Sequence, residues 1–418
     1  MRYWSMGTEW IETTVGDFCP FHYGKGLPER NRIPGPYPVF GSNGQVGSHY
    51  QPFVNEPGII IGRKGTVGAV HFSKLPFCPI DTTFYVVSAD YRDLRFTYYL
   101  LKSLGLDRMN ADSAVPGLNR EAAHKRKILV PPLSTQRAIA HILGTLDDKI
   151  ELNRRMNETL EAVAQALFKS WFVDFDPVVV NAIKAGTPLP EKFAKRAAHY
   201  RENPDALGLP EHILRLFPNR FQESELGPIP KGWEVVRFNK IAYAKQGKYL
   251  SKRKISDRVT GEYVYPVWGG NGIRGYTNEK LYEEQVVALT CRGSNCGRVD
   301  TTKSPAWISN IAFACLPRYG SVNFLYIYFK HISFKSCITG SAQPQITFAN
   351  LRNKLMEHPI APNIIELFSR LVEPLFREIV LRNQEKNTID ILRNTLLPKL
   401  ISAELRVPDV EKILEDVL

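Results

Sequence analysis

Two glycine-rich runs hold the residues best suited to chemistry in this chain. In "GRKGTVG", residues 62–68, the polar side chains are Arg63, Lys64 and Thr66; in "CRGSNCG", residues 291–297, they are Arg292, Ser294 and Asn295. Tight turns of this composition bring backbone amides and side-chain donors close to phosphate oxygens. Arginine and lysine also read guanine edges, and asparagine and glutamine read adenine edges. Gln343 and Gln345 in "AQPQIT" join the candidates on that ground, with Ser42 in "YPVFGSNG", Lys25 in "YGKGL" and Lys248 in "KQGKYL". The alternative for the shared Arg and Gly is turn scaffolding, with only their unshared neighbours varying with the target. Lys25 and Lys248 are either phosphate contacts or simply solvated.

Catalytic patterns are missing. No G-x-x-x-x-G-K-[ST] loop occurs, and neither glycine run follows the strand-to-helix grammar of a dinucleotide site. The Pro pair in "VPPL" lacks the flanking residues of an adenine or cytosine methyltransferase; Pro131 and Pro132 read as setting how the chain enters the helix that follows. Asp147, Asp148 and Lys149 resemble a nuclease trio but lie within a helical pattern, where a solvated face is the expectation. Cys291 and Cys296 have no complementary Cys or His pair and read as incidental thiols. Lys and Arg number 54 against 42 Asp and Glu, a formal charge of +12 that favours a polyanionic partner. No apolar run approaches the ~18–20 residues needed to cross a bilayer, and the start "MRYWSMGTEWIETT" lacks a signal-peptide core, so the cytoplasm is the expected location.

The positioning elements come twice. "YPVFGSNG" begins at Tyr37 and "YPVWGGNG" at Tyr265, an offset of 228 residues. Gly24 and Lys25 answer Gly247 and Lys248 at 223, Arg63 and Gly68 answer Arg292 and Gly297 at 229, and Pro116 answers Pro344 at 228. Asn43 and Asn271, identical in the two copies, suit holding hairpin turns better than choosing bases. Short alternating runs such as "GIIIG" and "TTFYVV" among glycine turns predict α+β domains around a curved antiparallel sheet.

Each copy ends in a long helical pattern. Leu143, Leu146, Ile150, Asn153, Asn157, Leu160, Leu167 and Trp171 recur at threes and fours, as in a coiled-coil seam. Phe368, Val372, Leu375, Ile379, Asn383, Ile389 and Leu392 form a less regular second stripe, with Asn387 beside it and Pro374 placed to kink it. An antiparallel pair is expected, its Asn residues specifying register. The predicted division is 1–132 and 233–361 for the two domains, 133–172 and 362–405 for the helices, 173–232 for a partly helical linker, and 406–418 for a tail.

With "PPLSTQRAIA", "FKSWFVDFDPV", "ESELGPIPKGW" and "LPKLISAELRV" placed around these elements, nearly the whole chain resembles the specificity subunit of bacterial Type I restriction-modification systems. The resemblance implies two target-recognition domains, each reading half of a split, asymmetric site in double-stranded DNA, with an antiparallel coiled coil setting the gap. It implies no catalysis and no cofactor on this chain. Two modification subunits would bind S-adenosylmethionine and methylate adenine, and restriction subunits would use ATP and Mg2+. Outward-facing helix residues such as Arg154 and Phe168 are expected to meet the modification subunit. The competing expectation is an autonomous DNA-modifying or DNA-cleaving enzyme with an unfamiliar centre.

Overall fold

The computed structural model describes residues 9–109, 117–302, 305–410 and 412. The chain forms two compact units, residues 1–154 with 383–418, and residues 155–382. Pro116 and the end of the predicted tail, residues 411 and 413–418, lie outside the described residues.

In the first unit a four-stranded antiparallel sheet runs in the order His22–Tyr23, Thr83–Val87, Gly58–Gly62, Val70–Ser73. "GIIIG" is apolar throughout because both its faces are covered: Ile59 and Ile61 face the main core, and Ile60 faces a smaller cluster with Phe40, Val54 and Phe77. A three-stranded sheet places Tyr37–Gly41 between Gly44–His49 and Cys78–Pro79, and its pairing with Cys78–Pro79 is parallel. The expected antiparallel sheet is present with four strands, the mixed three-stranded sheet is an addition to it, and Ile11–Thr14 and Lys127–Val130 form a further antiparallel pair.

The second unit repeats this topology strand for strand. Its four-stranded sheet orders Ala242–Gln246, Ala312–Pro317, Val287–Thr290, Val299–Thr301, and its three-stranded sheet centres on Tyr265–Gly269. Val287 and Leu289 face the main core while Ala288 faces a minor cluster, the same division of faces. Both hairpins close on a glycine with left-handed backbone, Gly44 at φ +103° and Gly272 at φ +87°. That requirement is why the Asn-Gly dipeptide recurs.

The first long helix is Leu133–Phe168 and the second Pro362–Ile401, which continues uninterrupted across Pro374. Within the first unit, Leu143, Leu146 and Ile150 share a core with Ile389, Leu392 and Leu396. Within the second, Ala164, Leu167 and Phe168 share one with Phe368, Val372, Leu375 and Ile379. In the first unit Asp147 bonds Arg393 and Asn153 bonds Glu385, so rising numbers on one helix meet falling numbers on the other and the pair is antiparallel. Asn153 is fully buried and donates to Glu385 Oε2 at 2.9 Å. Asn157, Leu160 and Asn383 are half-buried, but Asn387 is exposed, which removes it from the seam. Asn153 thus meets a glutamate of the second helix within the seam.

One further expectation is corrected. Phe168 is not outward-facing: it is buried, stacked on Phe172 and edge-on to Phe368. Its position in the heptad pointed outward only while no second layer was known, and Phe172, Phe324 and His331 supply that layer. Residues 173–232 are partly helical, with helices Asp176–Lys184 and Ala194–Glu202. After a π-helical turn, Lys169–Val173, they bury Phe175, Val178, Val179, Phe193 and Phe217 in the second unit's core.

Candidate nucleic-acid interface

The glycine runs cross from one strand of the four-stranded sheet to the next. In the first unit, Gly68 has φ +72°, and a Cβ there would lie 2.3 Å from the Leu106 carbonyl carbon. In the second, Gly297 has φ +93°. These glycines are scaffold. So are Gly24 and Gly247: a Cβ would sit 2.1 Å from Ile80 O in one unit and 2.3 Å from Ile308 O in the other. Each presents a lysine, exposed Lys25 or Lys248, whose amide donates to Pro79 O at 2.9 Å or Ile308 O at 3.0 Å.

Hydrogen-bond register changes the pairing of the two runs. Leu118 N donates to Arg63 O, and its counterpart Ile346 N donates to Cys291 O, both at 2.9 Å. Arg63 N bonds Thr82 O as Cys291 N bonds Ile311 O, at 2.9 and 2.8 Å. Lys64 bridges to Gly117 as Arg292 bridges to Gln345. The backbone equivalents are therefore Arg63 with Cys291 and Lys64 with Arg292. Matching Arg63 to Arg292 by identity is corrected; the second turn is one residue longer, and the extra residue is absorbed before Gly297.

The candidates divide accordingly. Lys64, Thr66, Arg292, Ser294, Asn295, Gln343 and Gln345 are exposed, while Ser42 is half-buried with its carbonyl 3.2 Å from His71 Nε2. In the second unit, Gly293 N donates to Pro344 O at 3.0 Å, which holds the Gln343–Gln345 loop against the Arg292 turn. Asn271 Oδ1 accepts from Arg298 Nη1 at 2.8 Å, tying the hairpin tip to the same region, a structural use of that asparagine. In the first unit, Arg63 is half-buried, its guanidinium 5.4 Å from the Tyr23 ring and 6.0 Å from that of Phe84. Arg120 approaches the same Tyr23 ring, at 4.9 Å. Among the described residues no carboxylate pairs with Lys25, Arg63, Lys64, Lys248 or Arg292. Tyr23 and Arg120 escaped a reading of motifs because the first lies in a two-residue strand and the second follows a helix cap; only strand pairing joins them to Arg63.

Titratable groups here do not suit catalysis. Burial pushes the Cys291 thiol up to about 11 and raises Cys296 as well, so both stay protonated at neutral pH. Asp147, Asp148 and Lys149 are engaged in ion pairs and hydrogen bonds, Asp148 on the exposed helix face expected of it and Asp147 and Lys149 half-buried. Asp147 accepts from Tyr99 and Arg393, Asp148 from Lys74 and Arg95, and Lys149 pairs with Glu385 at 3.0 Å.

A duplicated α+β unit with a basic turn in each copy defines the class, a two-reader nucleic-acid-recognition chain. The chain belongs to the Type I restriction modification DNA specificity domain family, which matches residues 7–162 and 230–390. It is 26% identical over 328 residues to the Type I restriction enzyme HindI specificity subunit of Haemophilus influenzae, covering 69% of this chain and 71% of that protein. Against the MjaIX specificity subunit of Methanocaldococcus jannaschii it is 24% identical over 375 residues, covering 84% and 78%. The solved S subunit of the M. genitalium Type I system shares the fold with a TM-score of 0.56 at 17% identity, covering 94% of this chain and 96% of that one. The chain is a specificity subunit, a DNA-recognition protein whose complex carries the catalysis on other subunits. No helix among the described residues is long and apolar enough to cross a membrane.

Proposed function

We propose that each unit reads one half of a split, asymmetric DNA site, and that the exposed bases Lys64 and Arg292 make equivalent contacts to the duplex in the two halves. The observation carrying this reading is their shared backbone position, each bridged to the segment preceding a capped helix. Lys25 and Lys248 act beside them as phosphate contacts, and Ser42, Thr66, Ser294, Asn295, Gln343 and Gln345 supply polar groups that differ between copies. Two modification subunits bind S-adenosylmethionine and methylate adenine where this chain directs them, and restriction subunits add ATP- and Mg2+-dependent cleavage, in the cytoplasm.

Mapping N6-methyladenine across a genome with and without this chain tests the reading; a split motif that appears only with the chain supports it. Turnover by the purified chain alone, given S-adenosylmethionine, Mg2+ and ATP, would instead favour an autonomous enzyme. The length of the unread gap is proposed to follow the paired helices, the first of which has 36 residues, ~54 Å at ~1.5 Å per residue. Adding about one turn, ~4 residues, near Asn157 and again near Asn387 should lengthen the gap and leave both half-sites as they were.

A further inference from the structure

The two units keep one cleft and change its chemistry. In the first, Tyr23 pairs across the sheet with Phe84; in the second, Gln246 pairs with Phe313 at the same place. Arg63 and Cys291 share the next position by their hydrogen bonds to Leu118 and Ile346. Asn119 caps one short helix by accepting from Ala122 N, and Thr347 caps the other by accepting from Asn350 N, so Arg120 and Phe348 both follow a cap. The phenylalanine on the neighbouring strand is thus retained, while Tyr, Arg and Arg in the first unit become Gln, Cys and Phe in the second.

The first cleft, about 570 Å3, collects two guanidiniums around one half-exposed tyrosine ring. Among the described residues Arg63 Nε is buried without a hydrogen-bond partner, and the guanidinium lies over the Tyr23 and Phe84 rings. Only Glu121, paired with Arg120 at 3.1 Å, offsets the charge among the described residues. In the second cleft, Gln246 Nε2 donates to Asn310 O at 2.9 Å, and the Phe348 ring lies 6.5 Å from that of Phe313. Arginine forks match the two acceptors on a guanine edge; an amide and an apolar ring match adenine and thymine edges.

We propose that positions 23, 63 and 120 in the first unit, and 246 and 348 in the second, where buried Cys291 stands in place of Arg63, choose the two half-site sequences, guanine being read in the first. The retained bases Lys64 and Arg292 position the duplex without choosing. This assignment rests on the reading of the chain as a two-half DNA reader.

The test exchanges the set: Tyr23→Gln, Arg63→Cys and Arg120→Phe together, in the chain assembled with its modification subunits, with methylated sites mapped genome-wide. The expected result is a changed first half-site, at least about 10-fold discrimination lost at a guanine, and an unchanged second half-site. An identical motif in the exchanged protein overturns the proposal. If methylation vanishes, footprinting of the assembled complex decides: protection kept at the second half-site only supports it, and loss at both half-sites makes the residues structural and overturns it. Failure of the two-half reading itself is distinct, because the unaltered chain would then give no split motif.

Discussion

Arg393 Nη1 donates to Asp147 Oδ1 at 2.6 Å, while Tyr99 Oη donates to Oδ2 of the same carboxylate at 2.6 Å. One side chain on the first long helix thereby joins the second helix to the sheet-packing helix Leu94–Ser103 within the first unit. Both ionic partners are mostly buried, with 16% and 23% of the side chains exposed. Removing Asp147 leaves Arg393 with Asp390 at 2.9 Å but takes the charge-assisted acceptor from the Tyr99 hydroxyl and breaks the link between the helices. Asp147→Ala should cost about 1–3 kcal/mol, read as a lower midpoint in urea, whereas Asp205→Ala, on an exposed loop of the second unit, should leave it in place. An unmoved midpoint for Asp147→Ala would sink the assignment.

Scaffold and contact roles separate in the paired motifs Gly24-Lys25 and Gly247-Lys248. A Cβ at either glycine collides with a strand carbonyl, so Gly24→Ala and Gly247→Ala should each cost about 1–3 kcal/mol of stability. Lys25→Ala and Lys248→Ala should leave thermal midpoints unchanged and weaken DNA binding by the assembled complex. Equal melting losses for all four variants would refute the division.

Lys64 and Arg292 occupy one backbone position in two units. As phosphate contacts, Lys64→Ala and Arg292→Ala should each weaken binding on every sequence and reduce the slope of log affinity against log salt by about 1. A slope that stays put while specificity changes would move these residues to base reading.

Three histidines make stability fall on the acid side. Burial lowers the pKa of His124, with Arg120 nearby adding to the effect; burial also lowers His331 and His358. His124 Nε2 accepts from Phe21 N at 2.9 Å, a role the protonated ring cannot play. Below the ordinary value of 6.5 the unfolded chain binds protons that the folded one refuses. Stability is therefore full above pH ~6.5 and declines as pH falls through the depressed folded values. Urea midpoints at pH 7.5 and pH 5 should differ, and His124→Gln, which keeps an acceptor, should flatten part of the decline. A pH-independent midpoint would contradict the assignment.

Much of the architecture was legible because it is written in local patterns. A 3.6-residue stripe from Leu143 to Leu167 and isolated Asn-Gly turns need no knowledge of distant neighbours. The offset of 228 residues between Tyr37 and Tyr265 was likewise plain, and it carried the two-unit organisation and the family resemblance with it. The misplacements arose where a residue's surroundings come from far along the chain. Phe168 looks outward on a single helix and is enclosed by Phe324 and Phe368. The stretch 173–232 has linker-like proline and charge, yet its spaced phenylalanines find a core only once the second unit is folded.

Position along the chain, by itself, established a duplicated DNA-recognition chain with two long helices and a basic turn in each copy. It could not establish which residues of the two turns correspond, because "GRKGTVG" and "CRGSNCG" align best by matching Arg to Arg. Correspondence belongs to hydrogen-bond register, and the bonds from Leu118 to Arg63 and from Ile346 to Cys291 place an arginine opposite a cysteine. The tertiary structure alone decided that, and with it gathered Tyr23, Arg63 and Arg120 into one cleft. Strand pairing and a helix cap bring together residues that lie 40 and 57 positions apart in the chain.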